Sequence, residues 1–123
     1  MKEQIVYYQK RAKEYELVYQ KTERQSDLVL IKDYLSKQFV NKSIIEIACG
    51  TGYWTEVLSK QTKSILASDI NPEVIQVASM KNYSKGNVVF EIRNFEDLKS
   101  MSGEFEGFFG GFIWSHIRKD ELN

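Results

Sequence analysis

The sequence predicts an α/β fold, a doubly wound parallel sheet with helices on both faces, and three observations carry that expectation. Short apolar runs stand at residues 43–48, 64–69 and 88–92, and an aromatic, glycine-rich run follows at 105–115. Helix-length segments separate the first three runs, which is the return connection that parallel neighbours require. Such crossovers are right-handed, which limits the topologies open to the chain. The first run also passes directly into a turn of small residues, Ala48-Cys49-Gly50-Thr51-Gly52, and then into another helical segment.

Taken in order, two helices precede any strand. Ile5, Tyr8, Ala12, Tyr15 and Tyr19 recur at helical spacing, and Leu28, Ile31, Leu35 and Phe39 do so after Ser26-Asp27, which reads as a cap. Residues 1–40 are therefore expected to form a helical cover ahead of the sheet. Asn41-Lys42 makes a turn into the first strand, 43–48, a short apolar run that suits a buried parallel strand.

Residues 53–60 read as the next helix and 64–69 as the second strand. Asn71-Pro72-Glu73 opens a further helix, with a capping asparagine and proline at the first helical position, expected to end near Ser84-Lys85-Gly86. Residues 88–92 make the third strand, 96–103 a polar connection and 105–115 the fourth strand. Residues 116–123 read as the start of one helical turn.

With 123 residues, 42% hydrophobic and 13% aromatic, the chain can bury one core, so residues 1–123 are read as a single domain. Seventeen Lys plus Arg balance seventeen Asp plus Glu. That balance removes the usual electrostatic basis for a nucleic-acid partner or an acidic membrane and fits a small-molecule partner better. Cys49 is the single cysteine, so no intramolecular disulfide is open to the chain, and no cluster of Cys and His offers a metal site. No apolar stretch approaches the ~20 residues of a membrane span, and a reducing, cytoplasmic setting is expected.

The stretch Glu46-Ile47-Ala48-Cys49-Gly50-Thr51-Gly52 carries the most chemistry. A dinucleotide site would use G-x-G-x-x-G to seat a pyrophosphate on a helix N-terminus, but the pattern here is Ala48-x-Gly50-x-Gly52, and counted from Gly50 and Gly52 the third glycine position holds Thr55. NAD is therefore the least favoured ligand. Glu46 could instead cap a helix, Asp69 could serve the turn before Asn71-Pro72, and Asn94 could be an ordinary loop residue. All three nevertheless stand at the ends of successive strands, on the carboxyl edge where sheets of this kind bind ligands.

The stretch resembles the first signature of class I S-adenosylmethionine-dependent methyltransferases, an acidic residue followed by G-x-G-x-G, with Ala48 at a position where glycine is commoner. The resemblance implies a Rossmann-like sheet of order 3-2-1-4. It also implies S-adenosylmethionine as cofactor, with S-adenosylhomocysteine as product. Glu46, Ala48, Cys49, Gly50 and Gly52 would line the cofactor; Asp69 would take the ribose hydroxyls with Ile70 beside it; and Asn94 and Phe95 would line the adenine pocket.

Upstream, Tyr7-Tyr8-Gln9-Lys10-Arg11-Ala12-Lys13-Glu14-Tyr15 is similar to the Y-x-x-R-A-x-x-Y helix that covers the cofactor in small-molecule members. That likeness would turn Tyr8, Arg11 and Tyr15 toward the ligand, while the same stripe also reads as packing. Tyr53 and Trp54 are either methionine-side contacts or core. His116, the sole histidine, is a candidate general base, although methyl transfer rests on positioning and needs no dedicated base.

The family has seven strands in the order 3-2-1-4-5-7-6, and the sequence supplies four, so the domain is expected to be partial. A bare fourth-strand edge should pair, and a homodimer through that edge is expected. The leading functional expectation is methyl transfer to a small-molecule acceptor, and the alternative is a catalytically silent cofactor-binding or interaction module.

Overall fold

A computed structural model describes residues 2–99 and 104–110. The chain runs α1 (Lys2–Tyr15), two 3₁₀ segments (Glu16–Gln20 and Thr22–Arg24), α2 (Gln25–Gln38), β1 (Ser43–Glu46), α3 (Tyr53–Ser59), β2 (Ser64–Asp69), α4 (Pro72–Ser79), β3 (Val88–Ile92), α5 (Phe95–Lys99) and β4 (Gly107–Phe109). The four strands form one parallel sheet in the order β3-β2-β1-β4, as the sequence implied.

The side-chain period of two divides the strand residues between two cores. Ile44 stands opposite Ile65, and both are buried with Leu28 and Leu35 of α2, Trp54 and Leu58 of α3 and Ile75 of α4. Ile45 stands opposite Leu66 on the other face, where both pack with Leu98 of α5 and with the half-buried Ile47 and Phe105. Helices on both faces make the sheet doubly wound. Each fully buried Ile or Leu contributes about 1.5–3 kcal/mol, so the inward residues of β1 and β2 set the register.

Several boundaries differ from the sequence reading. The first helix was expected to carry Tyr19, but regular α-helix stops at Tyr15 and the chain tightens into 3₁₀ over Glu16–Gln20. Tyr19 thereby stacks on Tyr53, with ring centroids 3.9 Å apart and planes 8° from parallel. Ser26-Asp27 does not cap α2, which begins at Gln25 without a side-chain cap. The Gln25 amide donates to the carbonyls of Tyr19 and Lys21 at 2.9 and 3.1 Å, fixing the entry ahead of Ser26, and Asp27 sits in the first turn where the helix dipole favours an acid.

β1 ends at Glu46 rather than Ala48, because Ala48 turns to φ 52° and leaves the strand after a last bond from the Ile47 N–H to the Phe109 carbonyl. α4 starts as expected, with the Asn71 side chain accepting from the Glu73 N–H and Pro72 at the first position, but it stops at Ser79. The Tyr83 hydroxyl donates to the carbonyl of Ala78 at 2.8 Å and closes that end, while Gly86 serves the next turn at φ 59°.

The connection read as polar over 96–103 begins instead with α5, because Leu98 is 1% exposed and anchors a helical turn against Ile45 and Leu66. β4 begins at Gly107, not Phe105, and Gly110 follows it outside the strand. The remainder of the expected fourth strand, the turn at 116–123 and His116 lie outside the described residues. Among the described residues no helix is long and apolar enough to cross a membrane.

Candidate functional site

The loop after β1 is held from both sides. The Cys49 N–H donates to the Ser68 carbonyl at 2.8 Å, and the Gly50 N–H donates to Asp69 Oδ2 at 3.0 Å. Asp69 Oδ1 accepts the Asn71 N–H at 2.9 Å. Each carboxylate oxygen thus spends one lone pair on the backbone and keeps a second for a ligand hydroxyl.

The two loop glycines serve different ends. Gly50 lies at φ 57°, and a Cβ placed on it would meet nothing within 4 Å, so this face of the backbone is open to a ligand. Gly52 lies at φ 87°, and a Cβ there would come 2.6 Å from the Tyr83 hydroxyl and 3.1 Å from Ala78 Cβ. Its small size lets α3 start against α4 rather than admitting a ligand. Ala48 also adopts a left-handed conformation, φ 52°, the backbone that favours glycine at that position.

Under the loop, Glu46 is 1% exposed and accepts a short hydrogen bond from the Thr55 hydroxyl. Burial pushes its carboxyl up to about 8, with the Thr55 bond and the Lys81 charge opposing that shift. Burial likewise holds the Cys49 thiol above its ordinary value, helped by the Glu46 and Asp69 charges, so it stays protonated rather than acting as a nucleophile.

A cleft of about 270 Å³ opens above these residues. Glu46, Ala48, Cys49, Gly50 and Thr51 form its floor; Tyr53 and Trp54 come from α3 and Val74 from α4; and Tyr15, Val18 and Tyr19 of the N-terminal segment complete it. The Thr51 hydroxyl donates to Glu16 Oε2 at 2.6 Å, and Lys81 Nζ donates to the same oxygen at 2.5 Å. The N-terminal segment therefore belongs to the site physically as well as by pattern.

The structure gathers Tyr15, Glu46, Ala48, Cys49 and Gly50 around the cleft, with Asp69 joined to them through Gly50. Ile70 is 71% exposed beyond Asp69, and Asn94 is exposed at the end of β3, its Oδ1 accepting the Asp97 N–H at 2.9 Å. Phe95 opens α5.

Tyr8 and Arg11 are turned to other partners. The Tyr8 hydroxyl donates to Gln76 Oε1 at 2.7 Å, and Arg11 donates to Glu73, Glu14 and the Tyr15 hydroxyl. They dock α1 on α4 and lie outside the cleft lining. Sequence reasoning missed Val18, Tyr19, Thr51 and Val74 as lining residues and Glu16 as the link to the loop. Only Thr51 carried a local signal, its place between two glycines.

Comparison with known proteins gives the same picture. A family model described as methyltransferase domain matches residues 44–123. A ubiquinone biosynthesis O-methyltransferase of Xylella fastidiosa (strain 9a5c) is 33% identical over 69 residues, covering 54% of this chain and 28% of that protein. The aligned part thus spans about a quarter of that relative's length. The structure of DhpI in complex with SAH superposes with a TM-score of 0.58 at 30% identity, covering 76% of this chain and 45% of DhpI. The DhpI-SAM-HEP complex gives a TM-score of 0.51 at 29% identity, covering 76% and 42%.

Proposed function

The chain belongs to the class I S-adenosylmethionine-dependent methyltransferases, and from that premise we propose that its cleft holds S-adenosylmethionine for methyl transfer to the hydroxyl of a small acceptor. The observation that carries the cofactor reading is the Gly50–Asp69 hydrogen bond beside an open glycine face. It brings a place for close backbone approach and a carboxylate with free lone pairs to one edge of the sheet.

The residues present fit the cofactor. Asp69 would accept ribose hydroxyls, and the backbone from Ala48 to Gly50, above the buried Glu46, would lie against the ligand. When bound, the cofactor supplies a methyl group activated by a sulfonium. The protein's own part is to orient and to exclude water. Tyr15, Tyr19, Tyr53 and Trp54 give the cleft an aromatic lining that disfavours bulk water, and the neutral Cys49 thiol adds no competing nucleophile.

Two observations support a small acceptor bearing a hydroxyl: the aromatic lining, and the likeness to a protein named as an O-methyltransferase of ubiquinone biosynthesis. A reducing, cytoplasmic setting suits the protonated Cys49 thiol. β4 ends the sheet among the described residues and Phe108 is 38% exposed there, which supports pairing of two chains along that strand. Light scattering at micromolar concentration should then give twice the chain mass, and a stable monomer would contradict the pairing.

The activity is tested by incubating the protein with methyl-labelled S-adenosylmethionine and a panel of small phenols, alcohols and amines. Label transferred to a hydroxyl acceptor is the expected result. Label transferred only to amines, or to none of the panel, would overturn the assignment.

A further inference from the structure

The cofactor loop has a support that no family signature accounts for. Thr51 sits between Gly50 and Gly52, both in the left-handed backbone that glycine adopts readily. Its side chain is tied down across 35 residues, to Glu16 at the start of the first 3₁₀ segment. The same Glu16 oxygen takes Lys81, 65 residues away and just beyond α4. The Glu16 and Lys81 side chains are each 16% exposed, so water screens this pair far less than the other contacts between the N-terminal segment and α4. Arg11 and Glu73, for comparison, are 30% and 45% exposed, and neither reaches the loop.

We propose that Glu16 is a positioning residue for cofactor binding: by holding Thr51 and Lys81 on one oxygen, it fixes the glycine loop in its ligand-ready shape and couples the N-terminal cover to the occupied site. The inference rests on the reading that this cleft binds S-adenosylmethionine. A loop already fixed in its bound form loses less conformational freedom when the ligand arrives, so the contact strengthens binding without touching the ligand. Lys81 keeps Glu16 in place; Thr51 is the point where that hold enters the loop. Glu16 is the first residue of the 3₁₀ segment, immediately after regular α-helix ends at Tyr15.

The test is calorimetric titration of S-adenosylhomocysteine into the wild-type chain and four variants. Thr51→Val, which keeps the shape and removes the hydroxyl, should bind about tenfold more weakly, whereas Thr51→Ser, which restores the hydroxyl, should bind within about twofold of wild type. Glu16→Ala should lose about as much as Thr51→Val, and the Glu16→Ala/Thr51→Val double variant should be no weaker than the worse single one, because both remove one contact. A threonine needed only for the packing of its methyl group would not be rescued by serine.

If the wild type fails to bind, the cofactor reading falls and this inference with it. If the wild type binds and Thr51→Val binds equally, or the two losses multiply in the double variant, this inference alone falls. Should Thr51→Val not fold, Glu16→Gln provides the same comparison. It keeps an acceptor for Thr51 while removing the negative charge that pairs with Lys81, and should bind about threefold more weakly, with unchanged binding contradicting the proposal.

Discussion

Gly50 donates its backbone N–H to Asp69 Oδ2 at 3.0 Å, so the loop leaving β1 and the carboxyl end of β2 are one hydrogen-bonded unit. Because Asp69 also accepts the Asn71 N–H through its other oxygen, the carboxylate braces the start of α4 as well. A single residue thereby sets the spacing between the two strand ends that would face a cofactor.

Asp69→Asn tests that brace. An amide offers one oxygen where two backbone N–H groups need acceptors, so either Gly50 or Asn71 is left facing an NH₂ group. The expected cost is about 1–3 kcal/mol in urea unfolding, with at least tenfold weaker binding of S-adenosylhomocysteine.

The glycines of the loop should respond differently. Gly50→Ala meets no atom, and only its left-handed backbone is penalised, by about 1–2 kcal/mol. Gly52→Ala carries the same backbone cost and also drives a methyl group against Tyr83 and Ala78, so it should cost about 2–4 kcal/mol. Thermal unfolding of the two variants side by side separates the ligand-facing glycine from the packing one.

Glu46 should make stability depend on pH. Its carboxyl titrates near 8 in the fold against 4.5 for the ordinary group, so between those values the native state holds a proton that the unfolded chain has released. Stability is then greatest at low pH and falls as pH rises toward 8. Glu46→Gln should abolish that slope and stabilise the protein by on the order of a few kcal/mol at pH 8, measured by urea unfolding across pH 5 to 9. An unchanged slope would show that Glu46 is ionised throughout.

Leu98→Ala should cost about 2–5 kcal/mol, because Leu98 is 1% exposed and fills the second face of the sheet against Ile45 and Leu66. A loss under about 0.5 kcal/mol, the value for a surface site, would mean that α5 does not pack there.

The central part of the fold was legible because it is local. Strands at Ser64–Asp69 and Val88–Ile92 are short runs built on Ile65-Leu66-Ala67 and Val88-Val89-Phe90, and Asn71-Pro72 marks the start of α4 by its own chemistry. What the sequence concealed depends on partners far along the chain. Leu98 stands among charged residues and gives no periodic signal, Gln25 rather than Ser26 fixes the start of α2 through carbonyls of the preceding turn, and α4 stops where Tyr83 folds back on Ala78.

The site divides in the same way. Glu46, Ala48, Gly50 and Asp69 lie in or beside one motif and stand together in the structure, whereas Tyr8 and Arg11, turned toward the ligand by the likeness of their helix to a family pattern and read equally as packing from their spacing, bond to Gln76 and Glu73 of α4. Helical spacing fixes which residues share a face but not what that face meets. Glu16 was invisible for the same reason, since nothing near it in sequence indicates Thr51 or Lys81.

The most direct test of the whole account is calorimetric titration of the chain with S-adenosylmethionine, S-adenosylhomocysteine and NAD in parallel. Saturable binding of both sulfur compounds at one site per chain, at least tenfold weaker in Asp69→Asn and absent for NAD, is the expected result. Binding of NAD alone, or of none of the three, would contradict it.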